Sequence, residues 1–156
     1  MVEEILANIT SLNLNPPNPG GAYNSVNVRG NLVFVSIQFP IHNEEFMFRG
    51  RVGDQISTNE AAIAAEICAL NVIAQVHKYV GFEKIEGLNH VDIYYQQEEG
   101  WDEGPKVADG ASKFFNKVLL KAGSHSRSIF GVQHLPRNIS VGITASFSLS
   151  DIKQSS

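Results

Sequence analysis

The sequence predicts a single α+β domain in which two long helices lie on one face of a mixed β-sheet. Residues 139–149 alternate apolar and small polar side chains, which is the period-two pattern of a strand with one buried face. Residues 57–80 and 106–122 instead space their apolar side chains as helices do. Strand-like segments precede and follow each helical segment, and this order favours one sheet with the helices packed against it.

The composition restricts the partners to expect. The chain has 156 residues, long enough to bury a core without disulfides or a structural metal. Its 12 Lys and Arg residues against 16 Asp and Glu residues give a net charge of −4, and no run of basic residues occurs. Because neutralisation of phosphates dominates binding to nucleic acids, we expect no nucleic-acid partner.

The single cysteine and the apolar pattern bear on redox chemistry and location. Cys68 excludes an intrachain disulfide and a CxxC motif, and its apolar helical surroundings favour a buried, inert thiol over a nucleophile. No apolar run approaches the ~18 residues of a membrane span, and the acidic start lacks the positive region of a signal peptide. We therefore expect a soluble, cytoplasmic protein without a membrane partner.

The chain begins with a predicted helix and a proline-rich strap. Residues 2–12 space their apolar side chains helically, and residues 13–21 contain three prolines and two glycines, which cannot continue a helix. The predicted organisation is an N-terminal helix and strap at 1–19, one domain at 20–150 and a short tail at 151–156.

Two strands are predicted next, at 23–28 and 32–39, with a turn at Arg29-Gly30-Asn31 in which glycine supplies the positive φ. Strict alternation gives the second strand two distinct faces. One face comprises Val33, Val35, Ile37 and Phe39, and the other comprises Leu32, Phe34, Ser36 and Gln38. Residues 46–52 are a candidate for a further short strand.

Capping residues mark the first long helix. Ser57 and Glu60 provide capping chemistry at its start, and Gly81 suits its end. The stripe predicted to face the core consists of Ile63, Ile67, Leu70, Ile73 or Ala74, and Val76 or Val80. A strand at 85–96, the helix at 106–122 ended by Gly123, and strands at 126–135 and 139–149 complete the order.

The last predicted strand also indicates an oligomer. Its apolar face should meet the helices, whereas its other face carries only small, uncharged residues from Ser140 to Ser148. Such a face is unusual for a strand open to water, so we expect another subunit to cover it.

Four segments occur in the order and at the spacing of a known family. They are Gly21-Ala22-Tyr23, Val35-Ser36-Ile37-Gln38-Phe39-Pro40, Ala108-Asp109-Gly110-Ala111-Ser112 and the segment from Ser126-Arg127-Ser128 to His134-Leu135-Pro136. Over residues 20–150 the chain resembles the reactive-intermediate deaminase family, also called the YjgF/YER057c/UK114 or L-PSP endoribonuclease family. The resemblance implies a chorismate-mutase-like fold, a homotrimer with clefts between subunits, and hydrolysis of 2-imino acids to 2-keto acids and ammonia without a metal or organic cofactor.

The resemblance identifies Arg127 as the main candidate for substrate binding. A guanidinium presents a planar fork that binds a carboxylate through two hydrogen bonds and keeps its charge. Without the resemblance, a salt bridge to an acidic neighbour would be the simpler interpretation. Tyr23, Ser36, Asp109 and Ile129 match positions near the family's cleft and complete the predicted substrate site.

Simpler interpretations of these residues also exist. Tyr23 is equally suited to plain packing, and Ser36 to a satisfied hydroxyl in the core. The family commonly has Asn where Asp109 stands, and a carboxylate there would repel an anionic substrate unless it is paired. Asp109 could instead cap the second long helix.

Other departures from the family bear on catalysis. The family usually places a glutamate near Gly142 to hold the attacking water, but no acid occurs from 139 to 150, and Thr144 is the nearest group able to orient water. Ile37 and Ile129 stand where the family usually has small residues. Two functions are therefore open: a deaminase with Arg127 and Thr144 as catalytic residues, and a non-catalytic protein that binds small carboxylates.

No motif points to a different chemistry. The five histidines show no HxH or HExxH spacing, so no metal site is expected, and GxSxG, P-loop and GxGxxG motifs are absent from the sequence. Trp101 lies in an acidic loop that is either solvated or placed to cover a cleft or a neighbouring subunit.

Overall fold

In the computed structural model, the described residues 1–151 form three α-helices and seven β-strands. The helices are α1 (Val2–Thr10), α2 (Thr58–Tyr79) and α3 (Gly104–Leu119). The strands are β1 (Val26–Arg29), β2 (Leu32–Gln38), β3 (Ile41–His42), β4 (Glu45–Phe46), β5 (Ile85–Gln96), β6 (Ser126–Val132) and β7 (Val141–Leu149). Apart from Asp151, the predicted tail lies outside the described residues.

Five strands form one mixed sheet in the order β1-β2-β7-β5-β6. Neighbouring strands are antiparallel except β5 and β6, which run parallel and are joined through α3. A parallel pair needs a crossover connection, and α3 supplies it. β3 and β4 form a separate hairpin, and α2 and α3 pack side by side on the sheet. The predicted α+β class and mixed sheet are confirmed.

The alternation predicted for the last strand is confirmed along β7. Val141, Ile143 and Phe147 are fully buried, and the strand contacts α2. We call the opposite side of the sheet, which carries Thr144, the open face. β7 begins at Val141 and not at residue 139, because Ile139 makes an isolated bridge outside the sheet.

The alternation predicted along β2 is wrong beyond Val35. A β-bulge between Val35 and Gln38 shifts the register against β7 and turns Gln38 into the core, where it is 5% exposed. The Oε1 atom of Gln38 accepts a 3.1 Å hydrogen bond from the Nε2 atom of Gln75 in α2, which pairs the buried amides. Ile37 consequently lies beside Gly142. The one extra residue of the bulge therefore puts Gln38 on the buried face that was predicted for Ile37, and turns Ile37 away from it.

The capping of α2 is confirmed, and its predicted apolar stripe is confirmed at Ile73, Ala74 and Val76 but wrong in the first half of the helix. Ser57 and Glu60 form reciprocal hydrogen bonds of 3.0 and 3.1 Å at the helix start. Ile63 is 49% exposed, whereas the buried face carries smaller residues. They are Ala61, Ala64, Ala65, Cys68, Ala69 and Val72. Small side chains let α2 approach the sheet and α3 closely. The size of the apolar side chains therefore did not indicate which face of the helix is buried.

The segment at 46–52 does not form the predicted strand. Phe48 has a left-handed backbone (φ 54°), and Arg49 and Val52 make only isolated bridges. β6 ends at Val132, three residues earlier than predicted, because the N–H of Leu135 donates to the side chain of Gln96. α3 begins two residues before the predicted start and ends at residue 119, followed by a short 3-10 turn.

The predicted N-terminal helix is confirmed as α1. Ile5 and Ile9 are buried, and the Nδ2 atom of Asn8 donates a 2.9 Å hydrogen bond to the carbonyl oxygen of Val118 in α3. The strap is held by Gln75, whose Nε2 atom also donates to the carbonyl oxygen of Pro17 at 2.8 Å. Helix and strap therefore pack on the body of the fold.

α2 is long and apolar enough, by length and composition alone, to cross a membrane. However, 61% of its most apolar window is buried within the fold, and the helix contacts β2, β7 and α3. These contacts are those of a core helix.

The contact between α2 and α3 at Gly110 predicts an unusual effect of alanine. In a helix interior, Gly→Ala normally stabilises by roughly 0.5–1 kcal/mol. Here a Cβ would overlap the carbonyl oxygen of Ala62, and such overpacking costs about 1–3 kcal/mol. We expect Gly110→Ala to lower the free energy of unfolding in urea by about 1–2 kcal/mol. The exposed Asn116→Ala is the matched control and should be neutral or stabilising; a stabilised Gly110→Ala would contradict the close contact.

Candidate functional site

Arg127 projects from β6 towards α3, where Asp109 pairs with it. The Nη1 atom of Arg127 lies 2.7 Å from the Oδ1 atom of Asp109 and 3.2 Å from the Oγ atom of Ser112. Asp109 is the sixth residue of α3, so it is not the helix cap considered from the sequence. The salt bridge that was the simpler interpretation of Arg127 is therefore present. This pairing also offsets the charge with which Asp109 would repel an anion.

The guanidinium of Arg127 keeps donors for a ligand. Of its five N–H donors, only those on Nη1 form hydrogen bonds within residues 1–151. The side chain is 27% exposed, so a solute can reach part of it. His125 extends the network, because its Nε2 atom lies 2.9 Å from the Oγ atom of Ser112. Asp109 and Ser112 therefore hold the Nη1 atom of Arg127, while its Nε and Nη2 atoms remain available to a ligand.

Ile129 shares a strand face with Arg127. In the parallel pairing of β5 with β6, Arg127 lies opposite Val91 and Ile129 opposite Ile93. Both partners are fully buried, and Ile129 packs against the core cluster. The isoleucine therefore fills space beside Arg127 that a smaller residue would leave open.

Tyr23 and Ser36 line a cavity of about 310 Å³ on another part of the fold. This strap cavity is enclosed by the strap at 17–20, the end of β2, the β3–β4 hairpin and the loop at 136–139. The hydroxyl of Tyr23 accepts a 3.1 Å hydrogen bond from the N–H of Gly20, and the hydroxyl of Ser36 donates to the carbonyl oxygen of Ser25 at 3.2 Å. Both side chains have partners in the chain and also face the cavity.

Ile37 and Gly142 are two departures from the family's usual residues, and they are in contact in the structure. A Cβ at Gly142 would lie 2.7 Å from the Cδ1 atom of Ile37 and 3.0 Å from the Cε1 atom of Phe39. The isoleucine therefore fills the space that a larger side chain at position 142 would need. The bulge in β2 produces this contact, because it moves Ile37 away from the core face.

Thr144 lies opposite Asp92 in the pairing of β5 with β7, on the open face. The Oγ1 atom of Thr144 is 3.5 Å from Oδ2 of Asp92, whose Oδ1 is 3.0 Å from Nε2 of His90. The Nδ1 atom of His90 is in turn 2.7 Å from the Oγ atom of Ser126. The four side chains form an array of polar contacts that spans three strands.

The sequence did not reveal the acid of this array, because Asp92 lies on the strand beside Thr144 and not on the same strand. The available signal was the two-residue spacing of His90 and Asp92, which puts both side chains on one face of β5.

Within one chain the predicted site residues form three groups. Arg127, Asp109 and Ile129 lie between β6 and α3, Tyr23 and Ser36 line the strap cavity, and Thr144 lies on the open face. Arg127 and Thr144 thus lie on opposite faces of the sheet. Three strand intervals separate β2 from β6, which amounts to about 14 Å. A small molecule cannot contact all three groups in a single chain.

Trp101 packs within the chain. Its Nε1 atom donates a 2.9 Å hydrogen bond to the hydroxyl of Thr58, and its ring lies edge-on to Tyr95 with the centroids 5.3 Å apart. Burial, together with the charge of Asp102, raises the pKa of Tyr95. Trp101 is thus partly buried and covers the start of α2 within its own chain.

The remaining titratable groups with shifted pKa values lie away from these residues. Burial raises the pKa of the Cys68 thiol well above its ordinary value, which suppresses the reactive thiolate. A hydrogen bond from Thr58 and the ammonium of Lys106 lower the pKa of Glu103. Among residues 1–151, no three His, Cys, Asp or Glu side chains cluster in a way that could hold a metal ion.

Comparisons with known proteins agree over nearly the whole chain. Residues 11–148 match the YjgF/chorismate mutase-like family, whose description gives endoribonuclease as a suggested activity. Protein TCP17 of Trypanosoma cruzi is 27% identical over 146 residues, covering 90% of this chain and 91% of that protein. The structure of Atu1372 from Agrobacterium tumefaciens, of unknown function, is 30% identical with a TM-score of 0.84 and covers 95% of this chain and 93% of that one. The structure of E. coli TdcF with bound serine shares the fold, with a TM-score of 0.64 and 20% identity over 86% of this chain and 94% of that one.

The ion pair of Arg127 with Asp109 should contribute little to stability. The side chains are 27% and 47% exposed, and pairs of this kind contribute about 0.2–1 kcal/mol. We expect Arg127→Ala and Asp109→Asn to fold normally, with a coupling energy in a double-mutant cycle of about 1 kcal/mol or less that decreases with added salt. The exposed pair of Lys106 with Glu103 provides the reference cycle. A coupling several times larger would mean that Arg127 is mainly a structural residue.

Proposed function

The chain belongs to the YjgF/chorismate mutase-like family, and from that premise we propose that it hydrolyses small 2-imino acids to 2-keto acids and ammonia. The observation that carries the proposal is the state of Arg127. Asp109 holds its Nη1 atom, while Nε and Nη2 have no hydrogen-bond partner within residues 1–151. A carboxylate is the one charged group common to these substrates, and this free edge of the guanidinium can bind it through two parallel hydrogen bonds.

The reaction requires a water molecule placed against the carbon of the C=N bond. Water adds to the protonated imine, and the resulting carbinolamine expels ammonia as the carbonyl forms, so that one water is consumed and one ammonium ion released. We propose that Thr144 orients this water. Asp92, 3.5 Å from the Thr144 hydroxyl, is the carboxylate in the structure best placed to accept the proton. These steps need no cofactor.

This site requires more than one copy of the chain, because Arg127 is separated from Tyr23, Ser36 and Thr144 within a single copy. We propose a homotrimer in which β6 of one copy meets the strap cavity and open face of the next. The open face supports this arrangement, since it exposes large apolar side chains that assembly would cover. They are Leu32, Phe34 and Phe130, which are 39%, 46% and 43% exposed.

A second candidate function is the binding of small carboxylates without turnover. The contact of Ile37 with Gly142 favours it, because an acid at that position of β7 would collide with the isoleucine as it lies in this structure. A general base typically contributes about 10²–10⁴-fold to such a reaction. In this case Arg127 would still bind the carboxylate.

We do not propose endoribonuclease activity, because a net charge of −4 without basic runs opposes binding to RNA.

We propose a cytoplasmic location, since the one cysteine is buried and a reducing compartment suits a chain without disulfides.

The test of turnover is ammonia release from 2-iminopropanoate and 2-iminobutanoate generated in situ. We expect the wild type to exceed the spontaneous rate, and Arg127→Ala to lose about 10-fold or more, the effect of removing a charge-assisted hydrogen bond of roughly 1.5–3 kcal/mol. Arg29→Ala is the matched control, because Arg29 is exposed on β1 and bonds only locally. Full activity of Arg127→Ala would contradict the mechanism. Arg127-dependent binding of 2-oxobutanoate without turnover would support the second candidate.

The homotrimer is tested by sedimentation equilibrium. We expect a mass three times the 17.1 kDa of one chain. Phe34→Glu, which puts a charge on the open face, should shift the protein to monomers. Ile63→Glu, at a similarly exposed apolar residue on the outside of α2, should leave the assembly unchanged. A monomeric wild type would contradict the proposed cleft.

A further inference from the structure

Both hydrogens on the Nη1 atom of Arg127 have acceptors on α3. Nη1 lies 2.7 Å from the Oδ1 atom of Asp109 and 3.2 Å from the Oγ atom of Ser112, and each Nη atom of a guanidinium carries two N–H donors. The two acceptors are three residues apart in the helix, so they lie on one face of it. Because the guanidinium is planar, two acceptors on one nitrogen fix the plane of the whole group, including the edge formed by Nε and Nη2. A single acceptor would leave that plane free to turn about one hydrogen bond.

His125 determines which way the hydroxyl of Ser112 points. The Nδ1 atom of His125 contacts the carbonyl oxygen of Gly123, which can only accept, so Nδ1 carries a hydrogen. In that tautomer of the neutral ring Nε2 is an acceptor, and it lies 2.9 Å from the Oγ atom of Ser112. The hydroxyl hydrogen of Ser112 is thus directed to His125, which leaves the lone pairs of its Oγ atom for Arg127.

The ring of His125 is itself held by the core of the fold. It stands edge-on to Phe115, with the centroids 5.9 Å apart and an interplanar angle of 74°, and Phe115 is fully buried. Gly123, which accepts the hydrogen bond from Nδ1, is also buried. A chain of hydrogen bonds therefore runs from this buried end through His125 and Ser112 to the guanidinium of Arg127, and the bonds of such a chain strengthen one another.

We propose that Ser112 and His125 are positioning residues for Arg127, which together hold the plane of its guanidinium so that the edge formed by Nε and Nη2 meets the substrate carboxylate. This inference rests on the proposed function and deepens it. Asp109 offsets the charge of Arg127, whereas Ser112 is neutral and contributes orientation alone. The carboxylate is present in the substrate and in the transition state alike, so loss of this orientation should raise KM and leave kcat nearly unchanged.

The first measurement needs neither ligand nor activity. Hydrogen bonds to Nη1 hinder the rotation of the guanidinium about its Cζ–Nε bond, and nitrogen NMR measures the rate of that rotation in Arg127. We expect several-fold faster rotation in Ser112→Ala and in His125→Phe, which keeps an aromatic ring against Phe115 but has no ring nitrogens. Ser112→Thr, which keeps the hydroxyl, and Ser124→Ala, at an exposed neighbour of His125, should behave as the wild type. Unchanged rotation in Ser112→Ala would overturn the inference, whether or not imines are turned over.

The second measurement is the affinity for 2-oxobutanoate, a product of the proposed reaction, together with the kinetics of ammonia release from 2-iminobutanoate. We expect Ser112→Ala and His125→Phe to bind the keto acid about 3–10-fold more weakly, the effect of losing one hydrogen bond, and KM to rise by a similar factor at constant kcat. Ser112→Thr and Ser124→Ala should keep the wild-type values. Faster rotation with unchanged affinity would overturn the positioning role, as would a fall in kcat at constant KM.

A failure of the proposed function would give a different result. A wild type in which the guanidinium of Arg127 rotates slowly, but which neither binds 2-oxobutanoate nor releases ammonia, would show that the chain of hydrogen bonds exists and that the ligand is wrong. That outcome overturns the inference together with the function on which it rests. Thermal unfolding of each variant verifies that a changed signal does not come from a lost fold.

Discussion

β7 is hydrogen-bonded to β2 on one side and to β5 on the other, so its register determines where the other strands of the sheet lie. A shift by one residue would turn Val141, Ile143 and Phe147 out of the core and bring the small polar residues in, which is why one register is strongly specified. With β7 fixed at the centre, β1 and β6 become the edges. The chemistry-bearing residues of β6 therefore lie at the rim of the sheet.

The same constraint explains why the candidate residues are dispersed. Side chains of neighbouring strands that lie opposite one another point to the same face, so Arg127 follows Val91 towards the helices while Asp92 and Thr144 point away. The fold thus presents a cation on one side of the sheet and the array of Thr144, Asp92 and His90 on the other. The homotrimer proposed above would bring such groups together, because it sets β6 of one copy against the open face of the next.

Much of the fold was predictable because its strongest signals are local. The alternation of β7, the capping box at Ser57 and the helix-breaking strap are all properties of consecutive residues. The errors arose where the decisive contact is distant in sequence. The β2 bulge depends on a buried Gln38 meeting Gln75, and the inner face of α2 is set by the close approach of α3 at Gly110. For the site, the sequence identified candidate residues but not their neighbours on other strands, because the pairing of Asp92 with Thr144 follows only from the strand register.

The contact of Ile37 with Gly142 has an evolutionary consequence. Because the isoleucine fills the volume beside the glycine, neither position can be exchanged alone at no cost. A larger residue at 142 would collide with Ile37, and a smaller one at 37 would leave a void beside β7. Placing an acid at position 142 is therefore expected to require a rearrangement or a replacement of Ile37. We therefore expect the residues at positions 37 and 142 to vary together among homologues.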